Sequence, residues 1–451
     1  MEYIFSTRKK LSPIRKCWLI LLPFLLNPAL HSQGDNFPFH VSQLTLKNGL
    51  HVIISEDDSF PLVSVVIAYN VGSADEKMGK TGLAYLLENL MFQGSKHVAR
   101  MQHVALINKI GGRLNALTSE EKTVYYQTVP SNQLPLVLWL ESDRMNFLEI
   151  TESKVERTKD SLLEEIKHRK EIEPYFESLS EFDRLARPGF SYSHPVIGTE
   201  NDIRNLTLKD VKDFYSTYYA PNNAVLCIAG NVNRSKVEEL VRRYFGTLAE
   251  GKSPPPRKNP EELKKVSTTQ VFEEVLAPTP GFHLGYRLPS PLSNDFYPLQ
   301  IIEYILLRGR SSRLHKRLMA RERLAYSYSG GIEKWKHFSL LKVSVLANNE
   351  VMTEMCRKAV YSEVNRIRTT RIPDKELTKA KNMLKADYVS RYSTTLGRAL
   401  FLVDSYLQKG SLSHLATELS MFLGVTPGDI IRVAHRYLSP DNRILLTVRI
   451  K

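Results

Sequence analysis

Tyr85, Glu88 and Asn89, within the run Gly82-Leu83-Ala84-Tyr85-Leu86-Leu87-Glu88-Asn89-Leu90-Met91-Phe92-Gln93-Gly94, fall at i, i+3 and i+4. On a helix that spacing puts them on one face, one turn apart. Histidines at 85 and 89 would share a zinc ion in the pattern H-x-x-E-H, and the glutamate would take a proton from the zinc-bound water. The glutamate is present and both imidazoles are missing. Tyrosine and asparagine are poor substitutes, because zinc sites draw on His, Cys, Asp or Glu.

The elements that must hold these residues are legible from an internal repeat. Thr207-Leu208-Lys209-Asp210, Tyr218, Pro221 and Asn223 recur 219 residues later as Thr426-Pro427-Gly428-Asp429, Tyr437, Pro440 and Asn442. In both copies a helix capped by threonine, with aspartate at the third position, is expected to end at tyrosine. A turn at Pro-Asn and an apolar strand follow, at 224–229 and 443–450. Val155, Thr158, Lys159 and Leu162 likewise match Leu377, Ala380, Lys381 and Leu384 at an offset of 222. Two homologous domains of about 200 residues account for this. The proline-rich run Gly251-Lys252-Ser253-Pro254-Pro255-Pro256-Arg257 marks a linker over 251–267, between a first domain at 41–250 and a second at 268–451. Strands are expected at 44–55, with a hairpin at Asn48-Gly49, and at 62–69. Long helices are expected at 154–169 and 374–392. Strands and helices in separate runs predict an α+β protein whose sheets carry helices on one face.

From Leu44 to the C-terminus the chain resembles the pitrilysin/insulinase family of zinc peptidases, which includes the mitochondrial processing peptidase and its bacterial two-domain relatives. Besides the motif helix, the resemblance is carried by Gly111-Gly112-Arg113-Leu114-Asn115-Ala116-Leu117-Thr118 and Val124-Tyr125-Tyr126. It continues in Tyr218-Tyr219-Ala220-Pro221-Asn222-Asn223, Ala229-Gly230-Asn231-Val232, Ser311-Ser312-Arg313-Leu314 and Leu324-Ala325-Tyr326-Ser327. It implies two mixed sheets forming a clam-like half chamber. It puts Tyr85 and Asn89 at the two histidine positions, Glu88 at the general-base position and Glu165 at the third ligand position, while Thr158 replaces an outer glutamate. Active relatives use zinc; this degenerate set implies no cofactor, with His168 the nearest imidazole.

In the second domain the family's carbonyl-binding pair, an arginine and a tyrosine seven residues apart, falls on Met319 and Tyr326. If 316–323 is helical, Arg323 lies one turn beyond Met319 and could reach the same space. Asn115, Ala116, Leu117 and Thr118 match the edge strand that captures an extended peptide by strand addition, which needs backbone groups and no metal. Gly111-Gly112 would allow close backbone approach there.

The net charge of +14 suits a basic solvated surface, an acidic partner or an anionic membrane; no nucleic-acid motif accompanies it. Residues 1–32 have a signal-peptide layout, with cations up to Lys16 and an apolar run over 17–30. An envelope or periplasmic location is therefore expected, with an uncleaved anchor as the alternative. Cys227 and Cys356 fall in apolar patterns and are expected to be buried free thiols.

Three functions remain open at this level. The first is a non-catalytic subunit paired with a zinc-bearing relative in a heteromeric peptidase. The second is a peptide-binding or scaffold protein of an envelope complex, such as a homodimer. The third is an active metalloendopeptidase with unusual ligands.

Overall fold

The computed structural model describes residues 39–257 and 264–451. The expected signal segment at 1–32 lies outside the described residues. The first sheet contains β1 (Ser42–Thr45), β2 (His51–Glu56), β3 (Leu62–Tyr69), β4 (Arg113–Thr118), β5 (Thr123–Pro130) and β6 (Ala224–Gly230), in the order β1-β2-β6-β3-β5-β4. The second contains β7 (Thr268–Glu274), β8 (Gly281–Pro289), β9 (Ala325–Lys334), β10 (Phe338–Ala347) and β11 (Arg443–Ile450), in the order β7-β11-β8-β10-β9. The β2–β6 and β7–β11 pairs are parallel, and the others are antiparallel. The two orders superpose strand for strand from β2 onward, so β4 and β9 are equivalent edges.

The repeat extends to individual hydrogen bonds. Thr207 with Asp210, and Thr426 with Asp429, form capping boxes on the helices Leu208–Tyr218 and Pro427–Tyr437. The Asn223 amide donates to Tyr218 O at 2.9 Å, and the Asn442 amide to Tyr437 O at 2.7 Å. Lys159 donates to Leu206 O and Lys381 to Leu423 O, each just ahead of a capped helix. An ammonium on a long helix thus satisfies a carbonyl that a loop would otherwise orphan.

Each half's own helices cover one face of its sheet, as the run pattern predicts. The second face is covered by a helix of the other half. Helix Thr395–Lys409 crosses β3 and β6, where Ala399, Leu402 and Val403 pack on Ile53, Val66, Cys227 and Ala229. Reciprocally, helix Phe176–Ala186 lies on the second sheet, with Phe182 and Ala186 against Phe338, Leu340, Ile444 and Leu446. Each large apolar side chain removed from water this way contributes about 1.5–3 kcal/mol, so the two halves share their cores. This is why β2, β3 and β6 read as nearly continuous apolar runs: both of their faces are buried. Cys227 and Cys356 are buried free thiols.

The proline-rich linker is anchored where it leaves the first half. Asn222 exchanges hydrogen bonds with both backbone groups of Gly251, and the Arg257 guanidinium grips Asp75 at 2.7 Å and Glu121 O at 2.7 Å. No helix among the described residues is long and apolar enough to cross a membrane.

Candidate functional site

The motif helix spans Leu83–Leu90. Leu83, Ala84, Leu86, Leu87 and Leu90 are buried in the first core, while Tyr85, Glu88 and Asn89 are only partly buried. The sequence therefore delivers the i, i+3, i+4 face intact.

How the helix starts was not legible. Gly82 at its N-cap has φ +90° and no side chain to cap with. It packs back to back with Gly198, where a Cβ would lie 2.7 Å from Gly82 Cα. The cap comes from Glu76, whose carboxylate accepts from Gly82 N at 2.9 Å and Ala84 N at 2.8 Å. His194 sits behind it, with Nε2 3.1 Å from Glu76 Oε2 and Nδ1 2.7 Å from Phe190 O. Both ring nitrogens face acceptors, an arrangement that suits the imidazolium. Burial acts to lower the histidine, but the Glu76 carboxylate and the Phe190 carbonyl outweigh it and raise it above its ordinary value. Burial likewise raises Glu76, against the pull of His194 and the two N–H groups.

A pH dependence follows. The folded state holds the His194 proton above the unfolded value of about 6.5, so its contribution is full below that pH and is lost as pH rises through the folded value. Thermal melts should show the natural chain losing more stability between mildly acidic and alkaline pH than His194→Gln does. Equal pH slopes in the two proteins would refute the ion pair.

At the zinc face itself, each of the four side chains bonds another protein group. Tyr85 Oη donates to Glu165 Oε1 at 3.1 Å, and burial followed by the Glu165 charge pushes its phenol up to about 12. Arg169, one turn along helix Glu152–Ile172, donates to the same Glu165 oxygen at 2.6 Å. The Asn89 amide nitrogen turns back to Tyr85 O at 3.0 Å. Glu88 accepts from Thr118 Oγ1 at 2.5 Å. Burial raises the Glu88 carboxyl, the Thr118 hydroxyl and backbone N–H oppose it, and the Glu165 charge adds to the rise. Thr158 is buried and bonds back to Lys154 O at 2.8 Å, and His168 is exposed. Zinc needs at least three His, Cys, Asp or Glu donors. Here the conventional donors are two carboxylates, and one of them is neutralised by an arginine, so the residues present do not fit zinc. Among the described residues no cluster of three such side chains stands ready for a metal ion.

Tyr85, Glu88, Ala116, Leu117 and Thr118 line one cleft of about 420 Å³, together with Arg169 and Arg187. The motif helix and edge strand β4 therefore meet in one cleft. Among the described residues β4 pairs only with β5, leaving its other side free, and Leu117 is 57 % exposed there. Ala116 N–H donates to the Asn115 side chain at 2.9 Å, so that residue shields its own edge. Gly111 takes φ +75° in open space, while Gly112 packs tightly on Val129 and Ile107. Gly111 thus serves the turn and Gly112 the core.

In the second half, Tyr326 lies on edge strand β9, 66 % exposed and away from the cleft lining. The arginine position is an apolar one, since Met319 packs against the second core. The helical segment His315–Arg321 is wound as a π-helix and stops before Arg323, which has φ +51°. The condition for placing Arg323 one turn beyond Met319, a helix over 316–323, is therefore not met. Missed from sequence was Arg187, which joins Glu120 of the first half to Glu333 on β9 and stacks on Trp335.

This two-sheet α+β fold with a remnant zinc helix is that of a metallopeptidase-like protein. The model of the insulinase family, peptidase family M16, matches residues 51–191, and that of the peptidase M16 inactive domain matches 205–384. The chain is 30 % identical over 421 residues to a Helicobacter pylori protein named zinc protease PqqE, covering 91 % of this chain and 93 % of that one. The crystal structure of a protease from Helicobacter pylori superposes with a TM-score of 0.87 at 28 % identity, over 91 % of this chain and all of the other. A peptidase M16 inactive domain from Pseudomonas fluorescens has the same fold, with a TM-score of 0.81 at 18 % identity over 91 % and 98 % of the two chains. The chain belongs to the insulinase family, M16.

Proposed function

We propose that this chain is the non-catalytic subunit of a heteromeric M16 peptidase, located in the cell envelope. In this reading a zinc-bearing relative supplies hydrolysis, and this chain presents peptide on β4. The observation that carries it is the contrast within one cleft: the zinc face is closed by Tyr85–Glu165–Arg169, while the adjoining strand keeps an open side. Strand addition draws on backbone groups alone, so it survives the loss of the metal. Tyr326, exposed on the equivalent edge β9, would contact the same partner or its peptide.

Mixing the chain with a zinc-bearing family member from the same cell should raise peptide turnover above that of the partner alone. Ala116→Pro removes an N–H from the free edge, where proline is tolerated, and should weaken peptide binding by about tenfold or more. Unchanged turnover with every such relative would sink the subunit reading.

One observation favours a second reading, a scaffold without peptide. The Asn115 side chain already occupies the Ala116 N–H, as a blunted sheet edge would. Asn115→Ala decides between them: peptide affinity rises if the cap competes with peptide, and stays undetectable if the chain is only a scaffold.

A further inference from the structure

A second cavity of about 420 Å³ lies in the C-terminal half and shares no lining residue with the cleft of Tyr85 and Glu88, so what it binds does not depend on the subunit reading. It is enclosed by helices Phe296–Leu306, Asp374–Ser390, Thr395–Lys409 and Leu415–Gly424 and by Lys334, the last residue of β9. The wall is aromatic: Phe296, Tyr388, Phe401 and Phe422 line it, and Tyr388 meets Phe401 edge to face.

The charges are out of balance. Glu418 is taken up by the Tyr388 hydroxyl and by Lys409. Asp404 pairs outward with Lys122. Glu303, close behind, is held by Arg308 and Gln300. His414 turns Nδ1 to Ser411 O, and burial lowers it toward the neutral form. Two cations remain. Among the described residues no carboxylate stands within ion-pair distance of Lys334 Nζ, which rests 5.1 Å from the centre of the Phe296 ring. Arg391, exposed at the cavity and likewise without an ion pair among the described residues, adds a second positive charge. Lys334 is half-buried; a partly desolvated charge without its partner is costly, and the cation–π contact offsets only part of that. Burial, followed by the Arg391 charge, pushes the Lys334 ammonium down to about 8.

We propose that this cavity binds a small organic monocarboxylate with an apolar or aromatic body, its acid group seated between Lys334 and Arg391 and its body against Phe296, Tyr388, Phe401 and Phe422. The size suits a ligand of roughly ten heavy atoms or somewhat more. One ammonium and one guanidinium match a monoanion better than a phosphate dianion, which calls for more donors. A free carboxylic acid and the C-terminal end of a short peptide carry the same chemistry.

Calorimetric titration of the full chain with 3-phenylpropionate, and with the isosteric 3-phenylpropanamide, separates charge recognition from apolar filling. The acid should bind, and the amide should bind about tenfold more weakly or worse. Lys334→Met keeps the stem and removes the charge; it should lose the acid by about tenfold or more without changing amide binding. Arg391→Gln alters an exposed residue, leaves the core untouched and should lose a smaller factor. Acid affinity should decline as pH rises above about 8, because binding then requires the ammonium to regain its proton. The dipeptide Ala-Phe, compared with its C-terminal amide, identifies the source: tighter binding than 3-phenylpropionate points to a peptide end, weaker binding to a free acid. Equal binding of acid and amide, absence of binding by both the acid and the dipeptide, or unchanged acid affinity in folded Lys334→Met and Arg391→Gln variants would overturn the proposal.

Discussion

Tyr85→His combined with Asn89→His should turn this chain into a zinc protein holding about one ion per chain, where the natural chain should retain none through gel filtration. Both positions share the partly exposed face of helix Leu83–Leu90. The third ligand is already in place, since Glu165 stands 3.1 Å from the Tyr85 hydroxyl. Replacing the tyrosine removes the phenol that competes for that carboxylate and puts an imidazole in its space. Two imidazoles and a carboxylate complete a catalytic-type donor set, and the gain in affinity should be roughly a thousandfold or more. Arg169 will hold the site below its full affinity, because it keeps its 2.6 Å hydrogen bond to the same Glu165 oxygen. Adding Arg169→Gln should therefore tighten zinc further. Chelator competition with metal analysis measures both steps. A folded double variant without zinc would mean that the motif helix and helix Glu152–Ile172 no longer stand at ligand distance. Peptidase activity is not expected from the double variant alone, because Met319, packed against the second core, stands where the family's arginine would be.

Glu76→Ala should be the most damaging single change near the site. It uncaps the motif helix at Gly82 and Ala84 and leaves His194 buried beside no carboxylate. Breaking a buried pair by removing one member costs about 3–5 kcal/mol. Glu76→Gln keeps an acceptor for the helix and should cost less. The denaturation midpoint should fall in that order, Ala below Gln below the natural chain. A loss under about 1 kcal/mol for Glu76→Ala would mean that the helix start is held by the Gly82–Gly198 contact instead.

Local rules made much of this molecule legible. The Thr207–Asp210 and Thr426–Asp429 boxes, the Pro-Asn turns and the strands after them are set by residues within about ten positions of one another, and they fold as that pattern demands. The face carrying Tyr85, Glu88 and Asn89 follows from helical spacing alone. Arg169 could have been found by the same rule, since it lies four residues beyond Glu165 on one helix. Glu76 and His194 could not. They are 118 residues apart in the chain, meet through irregular segments, and neither belongs to a periodic pattern. The exchange of helices Phe176–Ala186 and Thr395–Lys409 between the sheets was hidden for a related reason. An apolar stripe tells a helix to bury itself but does not say against which sheet. Arg323 shows where a local rule failed: continuing the pattern past Arg321 assumed a regular helix, and the chain turns left-handed instead.

The most direct measurement is a native pull-down of the tagged chain from the cells that produce it, with its partners identified by mass spectrometry. The expected result is a stoichiometric companion of the same family carrying an intact H-x-x-E-H helix, released together with peptidase activity that a chelator abolishes. Recovery of this chain by itself, as a homodimer, or with unrelated proteins only would contradict the subunit account and leave the scaffold reading in its place.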